Sequence, residues 1–102
     1  MECLFCKIVK KEIPSKTVYE DSDLVVFSDI HPKARVHLLI TPKKHIESFL
    51  DLNEGEIGLL TKIIKVIQQL VKDKKLEKAY RVVVNGGIHQ EVPHLHFHLL
   101  AD

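Results

Sequence analysis

His94-Leu95-His96-Phe97-His98-Leu99-Leu100 alternates imidazole with apolar side chains. In an extended strand, neighbouring side chains point to opposite faces, so a period of two sorts the segment. Three histidines fall on one face, and Leu95, Phe97 and Leu99 fall on the other. A helix would scatter the histidines around its barrel, so the spacing predicts a strand with one face buried and one titratable. Three chemical readings follow: a solvated strand rich in histidine, a metal site on His94, His96 and His98, or a nucleophilic histidine with two supports. Imidazole ligates zinc, copper or iron. Its neutral form, well populated near pH 7, also attacks phosphorus.

Before that strand, Arg81 to Asn85 predicts another strand, followed by a flexible loop opened by Gly86-Gly87. Further back, Ile57, Leu60, Ile63, Ile64, Ile67, Leu70 and Val71 fall at helical spacing. They predict a long helix from about Asn53 to about Lys74, with Asn53 and Glu56 as its N-terminal cap. Val36 to Thr41 reads as a strand stopped by Pro42. Thr17 to Glu20 and Leu24 to Phe27 read as a hairpin turned by Asp21-Ser22-Asp23. A short helix is expected from Phe5 to Lys11, ended at Ile13-Pro14. Strands, one long helix and then strands predict an antiparallel α+β fold.

The chain has 102 residues, 45% of them hydrophobic, which suits one domain with its own core. A net charge of +1 offers no electrostatic reason to expect nucleic acid as a partner. No apolar run reaches membrane-spanning length, and no basic, then apolar N-terminal segment marks a signal peptide, so a cytoplasmic location is expected. Cys3 and Cys6 lie three positions apart. So short a loop gains little from a disulfide, which leaves metal binding or redox chemistry as their use.

The histidine segment resembles the histidine triad (HIT) motif, His-x-His-x-His-x-x with x apolar. Cys3-Leu4-Phe5-Cys6-Lys7-Ile8-Val9, Lys11-Glu12-Ile13-Pro14 and Phe27-Ser28-Asp29-Ile30 resemble other parts of that family. So do His37-Leu38-Leu39-Ile40-Thr41-Pro42-Lys43-Lys44-His45, Arg81-Val82-Val83-Val84-Asn85 and Gln90-Glu91-Val92. The likeness spans almost the whole chain and is nearest to the nucleotide-binding (Hint) branch, in its bacterial zinc-containing type. It implies a single HIT domain over residues 1–102. Its sheet would be antiparallel and five-stranded, with one long helix and a short N-terminal helix.

It also implies an activity, hydrolysis of purine nucleoside phosphoramidates or related nucleotidyl conjugates at the α-phosphate, by a homodimer. His96 would be the nucleophile, its other ring nitrogen donating to the His94 carbonyl, and would form a nucleotidyl-histidine intermediate. His98 would contact the phosphate and help protonate the leaving amine, with His37 in the same cluster. Asp29 would bind the ribose hydroxyls. Phe5, Ile8, Phe27 and Ile30 would form the slot for the base, and Asn85, Gln90 and Glu91 would lie near the phosphate. Cys3, Cys6, His45 and His94 would hold a structural zinc. The competing readings are a metal-dependent hydrolase using the triad as ligands, and a nucleotide-binding module without catalysis.

The chain departs from the family pattern around the motif. His89 stands where a glycine is common in the preceding loop, which is shorter than usual. Glu91 replaces a serine found in the animal branch, Pro93 replaces an aromatic residue, and only two residues follow Leu100. The leaving group is therefore the least defined part of the expected substrate.

Overall fold

Alternation governs the strands, and the computed structural model, which describes residues 3–102, pairs them into one antiparallel sheet. The strands are β1 (Thr17–Glu20), β2 (Leu24–Ser28), β3 (Val36–Pro42), β4 (Arg81–Val83) and β5 (Phe97–Ala101), in the order β1-β2-β3-β5-β4. A short helix α1 (Leu4–Val9) precedes them, and a long helix α2 (Ile57–Asp73) lies between β3 and β4. The expected α+β architecture is the one observed.

The register sorts side chains onto two faces. Val26 pairs with Ile40, Ile40 with Phe97, and Leu38 with Leu99. These residues, with Leu24, Leu95 and Ala101, pack against Ile63, Ile67, Leu70 and Val71 of α2 in the main core. The opposite face carries Phe27 paired with Leu39, and Leu39 paired with His98. There Val25, Phe27 and Leu39 pack against Phe5 and Ile8 of α1. β2 and β3 are thus covered on both faces, which is why their sequences are almost continuously apolar.

The helix begins later than its pattern suggests. Glu54–Glu56 forms a 3-10 turn, and α2 starts at Ile57. The cap is present: Asn53 Oδ1 accepts from the Gly55 N–H at 2.9 Å, and Glu56 Oε1 accepts from the Asn53 N–H at 3.1 Å. The apolar stripe is narrower than expected, for Ile57 is 56% and Ile64 48% exposed. Neither belongs to the core that packs on the sheet.

Two strand boundaries also move. β4 ends at Val83, before Asn85. The ladder of β5 begins only at Phe97, so His94-Leu95-His96 precedes it. Pro93 has no N–H to give a ladder. The His94 N–H closes a tight turn onto the Val92 carbonyl at 2.8 Å, and the Leu95 N–H bonds Ile46 O at 2.7 Å. The sorting of side chains nevertheless runs past the ladder. Leu95 lies in the core beneath α2, while the rings of His94 and His96 meet the Phe5 ring on the other side.

Candidate functional site

His96 projects from the segment just ahead of the β5 ladder. Its Nδ1 lies 2.8 Å from the His94 carbonyl oxygen, which can only accept. Nδ1 therefore carries the proton and Nε2 the lone pair. Burial pushes the proton affinity of His96 below the usual imidazole range, against the pull of the His94 carbonyl and of Asp29 and Glu91. The ring is thus held neutral, with one nitrogen free to act as a base or nucleophile. Phe5 sets its edge against this ring, with centroids 4.9 Å apart, and meets Phe27 at 5.3 Å. Phe5, Phe27 and Ile8 form a buried apolar wall beside His96.

A second hydrogen-bonded chain runs across β3 and β5. The Lys33 backbone N–H donates to His37 Nδ1 at 3.1 Å, so the proton of neutral His37 sits on Nε2. That nitrogen is 2.9 Å from His98 Nδ1, which accepts. The proton of His98 is therefore on Nε2, which requires the Asn85 side-chain amide, 3.4 Å away, to turn its oxygen toward that nitrogen and accept. Burial, then repulsion from His96 and His37, lowers the pKa of His98 to about 4, so the ring is neutral at pH 7. Asp29 closes this group. Its Oδ1 accepts from the His31 N–H at 2.8 Å, and its Oδ2 lies 3.5 Å from His37 Nε2.

Four further residues form a separate cluster on the far side of His94. The ligand atoms of Cys3, Cys6, His45 and His94 all lie within 4.8 Å of one another. Cys3 Sγ is 3.3 Å from His94 Nδ1 and 3.5 Å from His45 Nδ1. Cys6 Sγ is 3.1 Å from His45 Nδ1 and 3.5 Å from His94 Nδ1. Tetrahedral coordination with ordinary zinc bond lengths puts neighbouring sulfur and nitrogen ligands about 3.5 Å apart. The donor set could therefore close around one metal ion. Both imidazoles also turn their Nε2 toward acceptors, His94 to the Pro42 carbonyl at 2.7 Å and His45 to the Glu47 carboxylate at 3.7 Å. Such outer partners orient ligating histidines.

This arrangement separates the triad. Both ring nitrogens of His94 are engaged away from His96 and His98, so the three imidazoles do not converge on a shared point. Asp29, His37 and His98 also lie within ligand reach of one another. There, the Lys33 N–H on Nδ1 leaves a proton, not a lone pair, on His37 Nε2, so this group is a hydrogen-bonded relay.

The remaining expected residues divide. Asn85 is beside His98. Glu91 is exposed, and its charge reaches both His96 and His98. Gln90 spends its amide on the Glu47 and Val92 carbonyls, at 2.7 and 3.0 Å, and so fastens the loop. Ile30 is 81% exposed, unlike the other three members of the expected apolar slot. Sequence reading missed the Lys33 N–H and the Pro42 and Ile46 carbonyls. These are backbone groups, which no side-chain pattern marks.

Comparison with known proteins places this chain in a family. Residues 2–102 match the family model described as scavenger mRNA decapping enzyme C-term binding. The chain is 41% identical to protein HitA of Neisseria gonorrhoeae, with 97% of this chain and 94% of that protein covered. It is 42% identical to a HIT-like protein of Chlamydia muridarum, covering 99% of this chain and 82% of that one. A HIT family hydrolase from Legionella pneumophila superimposes with a TM-score of 0.95 at 45% identity, over 98% of this chain and 92% of that one. A histidine triad nucleotide-binding protein from Candida albicans does so with a TM-score of 0.85 at 38% identity, over 96% and 73%.

Proposed function

Because this chain belongs to the histidine triad family, we propose that it is a nucleotide-binding hydrolase acting through a covalent nucleotidyl-histidine on His96. Its substrates are purine nucleoside 5′-phosphoramidates or related nucleotidyl conjugates. One observation carries the reading. The bond from His96 Nδ1 to the His94 carbonyl leaves Nε2 as a neutral lone pair beside the apolar wall of Phe5 and Phe27.

The base stacks in the slot of Phe5, Ile8 and Phe27, and Asp29 accepts from the ribose hydroxyls. His96 Nε2 attacks the α-phosphorus; the phosphorus–nitrogen bond to the leaving amine breaks as the new one forms. His98 Nε2–H faces the phosphate with Asn85. The leaving amine takes its proton from solvent water, and the His98 Nε2–H hydrogen-bonds at the phosphate as the bond breaks. Water then attacks the phosphorus of the adduct, releases the nucleoside monophosphate and returns His96 to its starting form.

Zinc is the ion that suits two thiolates and two imidazoles in a closed tetrahedral site. Held by Cys3, Cys6, His45 and His94, it would supply structural cross-linking and no catalytic water. A homodimer fits the open edge of β4 and the apolar groove of about 430 Å³ between α2 and β4, lined by Ile64, Ile67, Val71, Tyr80 and Val82.

The deciding experiment is mass spectrometry of protein quenched during reaction with adenosine 5′-phosphoramidate. An adenylyl adduct on His96, lost in His96→Ala, is expected. Turnover without an adduct would defeat covalent catalysis, and nucleotide binding without turnover would leave a binding module.

A further inference from the structure

The catalytic group and the cysteine cluster meet in one peptide bond, that joining His94 to Leu95. Its carbonyl accepts from His96 Nδ1 at 2.8 Å, and its N–H donates to the Ile46 carbonyl at 2.7 Å. The plane of this peptide therefore decides whether the His96 proton has an acceptor. The β5 ladder starts only at Phe97, so sheet pairing does not hold the plane. The cluster holds one end directly and borders the other, where Leu95 and Ile46 are also buried in the main core. On one side is the His94 ring, fully buried, with Nδ1 against two sulfurs and Nε2 bonded to Pro42 O. On the other side is Ile46, whose chain neighbour His45 also faces both sulfurs.

We propose that Cys3, Cys6 and His45, joined to His94 through a bound metal, are positioning residues for the nucleophile. By clamping the 94–95 peptide they keep the His96 proton on Nδ1 and its lone pair on Nε2. A cluster that merely fastened the N-terminal segment would change stability and leave the His96 tautomer alone. The inference rests on His96 being the nucleophile, and its test reads the ring directly.

The full chain, labelled with 15N-histidine, is compared by NMR when zinc-loaded, when stripped by a chelator, and as the Cys3→Ser/Cys6→Ser double variant. The loaded protein should show one His96 tautomer, protonated at Nδ1. Stripped wild type and the variant should show both tautomers exchanging. The kcat for adenosine 5′-phosphoramidate should fall about tenfold or more, while KM moves by less than about threefold. Zinc should restore wild type and not the variant. An unchanged His96 tautomer in folded, zinc-free protein overturns the proposal. Should the stripped protein or double variant unfold, His45→Asn removes one exposed ligand and spares the His94 ring. The same loss of a single tautomer is then expected, and its persistence with zinc displaced overturns the clamp. A loaded protein that shows one tautomer yet hydrolyses no phosphoramidate counts against the reaction, not against the clamp, which the tautomer comparison still decides.

Discussion

His37 Nε2 donates to His98 Nδ1 across 2.9 Å, joining neighbouring strands of the sheet through two imidazoles. His37 thus sets which nitrogen of His98 carries the proton. Replacing it by leucine removes the donor and frees His98 to adopt either tautomer. One hydrogen bond of about 1.4 kcal/mol corresponds to about a tenfold change in rate. His37→Leu should lower kcat by at least that factor with a smaller change in KM. His37→Gln, which keeps a donor, should recover part of the loss. Steady-state kinetics of the three proteins check this.

Asp29 can be tested without disturbing its turn. Asn at this position keeps an oxygen for the His31 N–H, now bonded at 2.8 Å, but loses the charge and one acceptor. Hydrogen bonds to charged groups are worth about 1.5–3 kcal/mol. Asp29→Asn should therefore weaken nucleoside monophosphate binding by on the order of tenfold or more. The melting temperature should stay close to that of wild type. Calorimetric titration and thermal denaturation together separate the two effects.

The depressed pKa of His98 makes stability depend on pH. Folded His98 titrates near 4, below its ordinary value of 6.5. Between those values the unfolded chain holds a proton that the folded protein lacks, so stability falls as pH drops from 6.5 toward 4. Thermal melts across that range should show the decline, and His98→Asn should lessen it, the remainder coming from His94 and His96, whose proton affinity burial also lowers. An equally steep profile in the variant would assign the whole decline to those two rings.

Leu99 is fully enclosed beneath α2 and pairs with Leu38. Leu99→Ala leaves a cavity there and should destabilise the protein by about 2–5 kcal/mol. Urea unfolding measures the loss. At a urea concentration where the variant is still folded, its kcat should lie near the wild-type value.

Much of this was legible because burial on a single face enforces a period of two or of 3.6. Leu95, Phe97 and Leu99 had to share a side, and Ile63, Ile67 and Leu70 had to face them. The boundaries were less legible, since long-range partners decide them. Nothing local announces that the Leu95 N–H leaves the ladder for Ile46. Apolar character alone did not separate Ile8, which packs against the sheet, from Ile30, which faces solvent. The spacing of Cys3 and Cys6 pointed to metal or redox chemistry, while grouping them with His45 and His94 needed the family pattern. The Lys33 amide and the Pro42 carbonyl orient two of the histidines, yet every residue but proline has an amide and every residue a carbonyl.

The two faces of the sheet are unequally covered, one by a helix of 17 residues and the other by a helix of six. The long helix seals its side, and the short one leaves His98 half-buried beside the buried His37 and His96. Durability and reactivity therefore occupy different sides of the same strands, one residue apart along the chain. Sequence drift beneath the long helix can retune how long the protein lasts while the chemistry stays as it is. Drift on the other side reaches the histidines, but there it also meets the smaller core of Phe5, Ile8, Val25, Phe27 and Leu39.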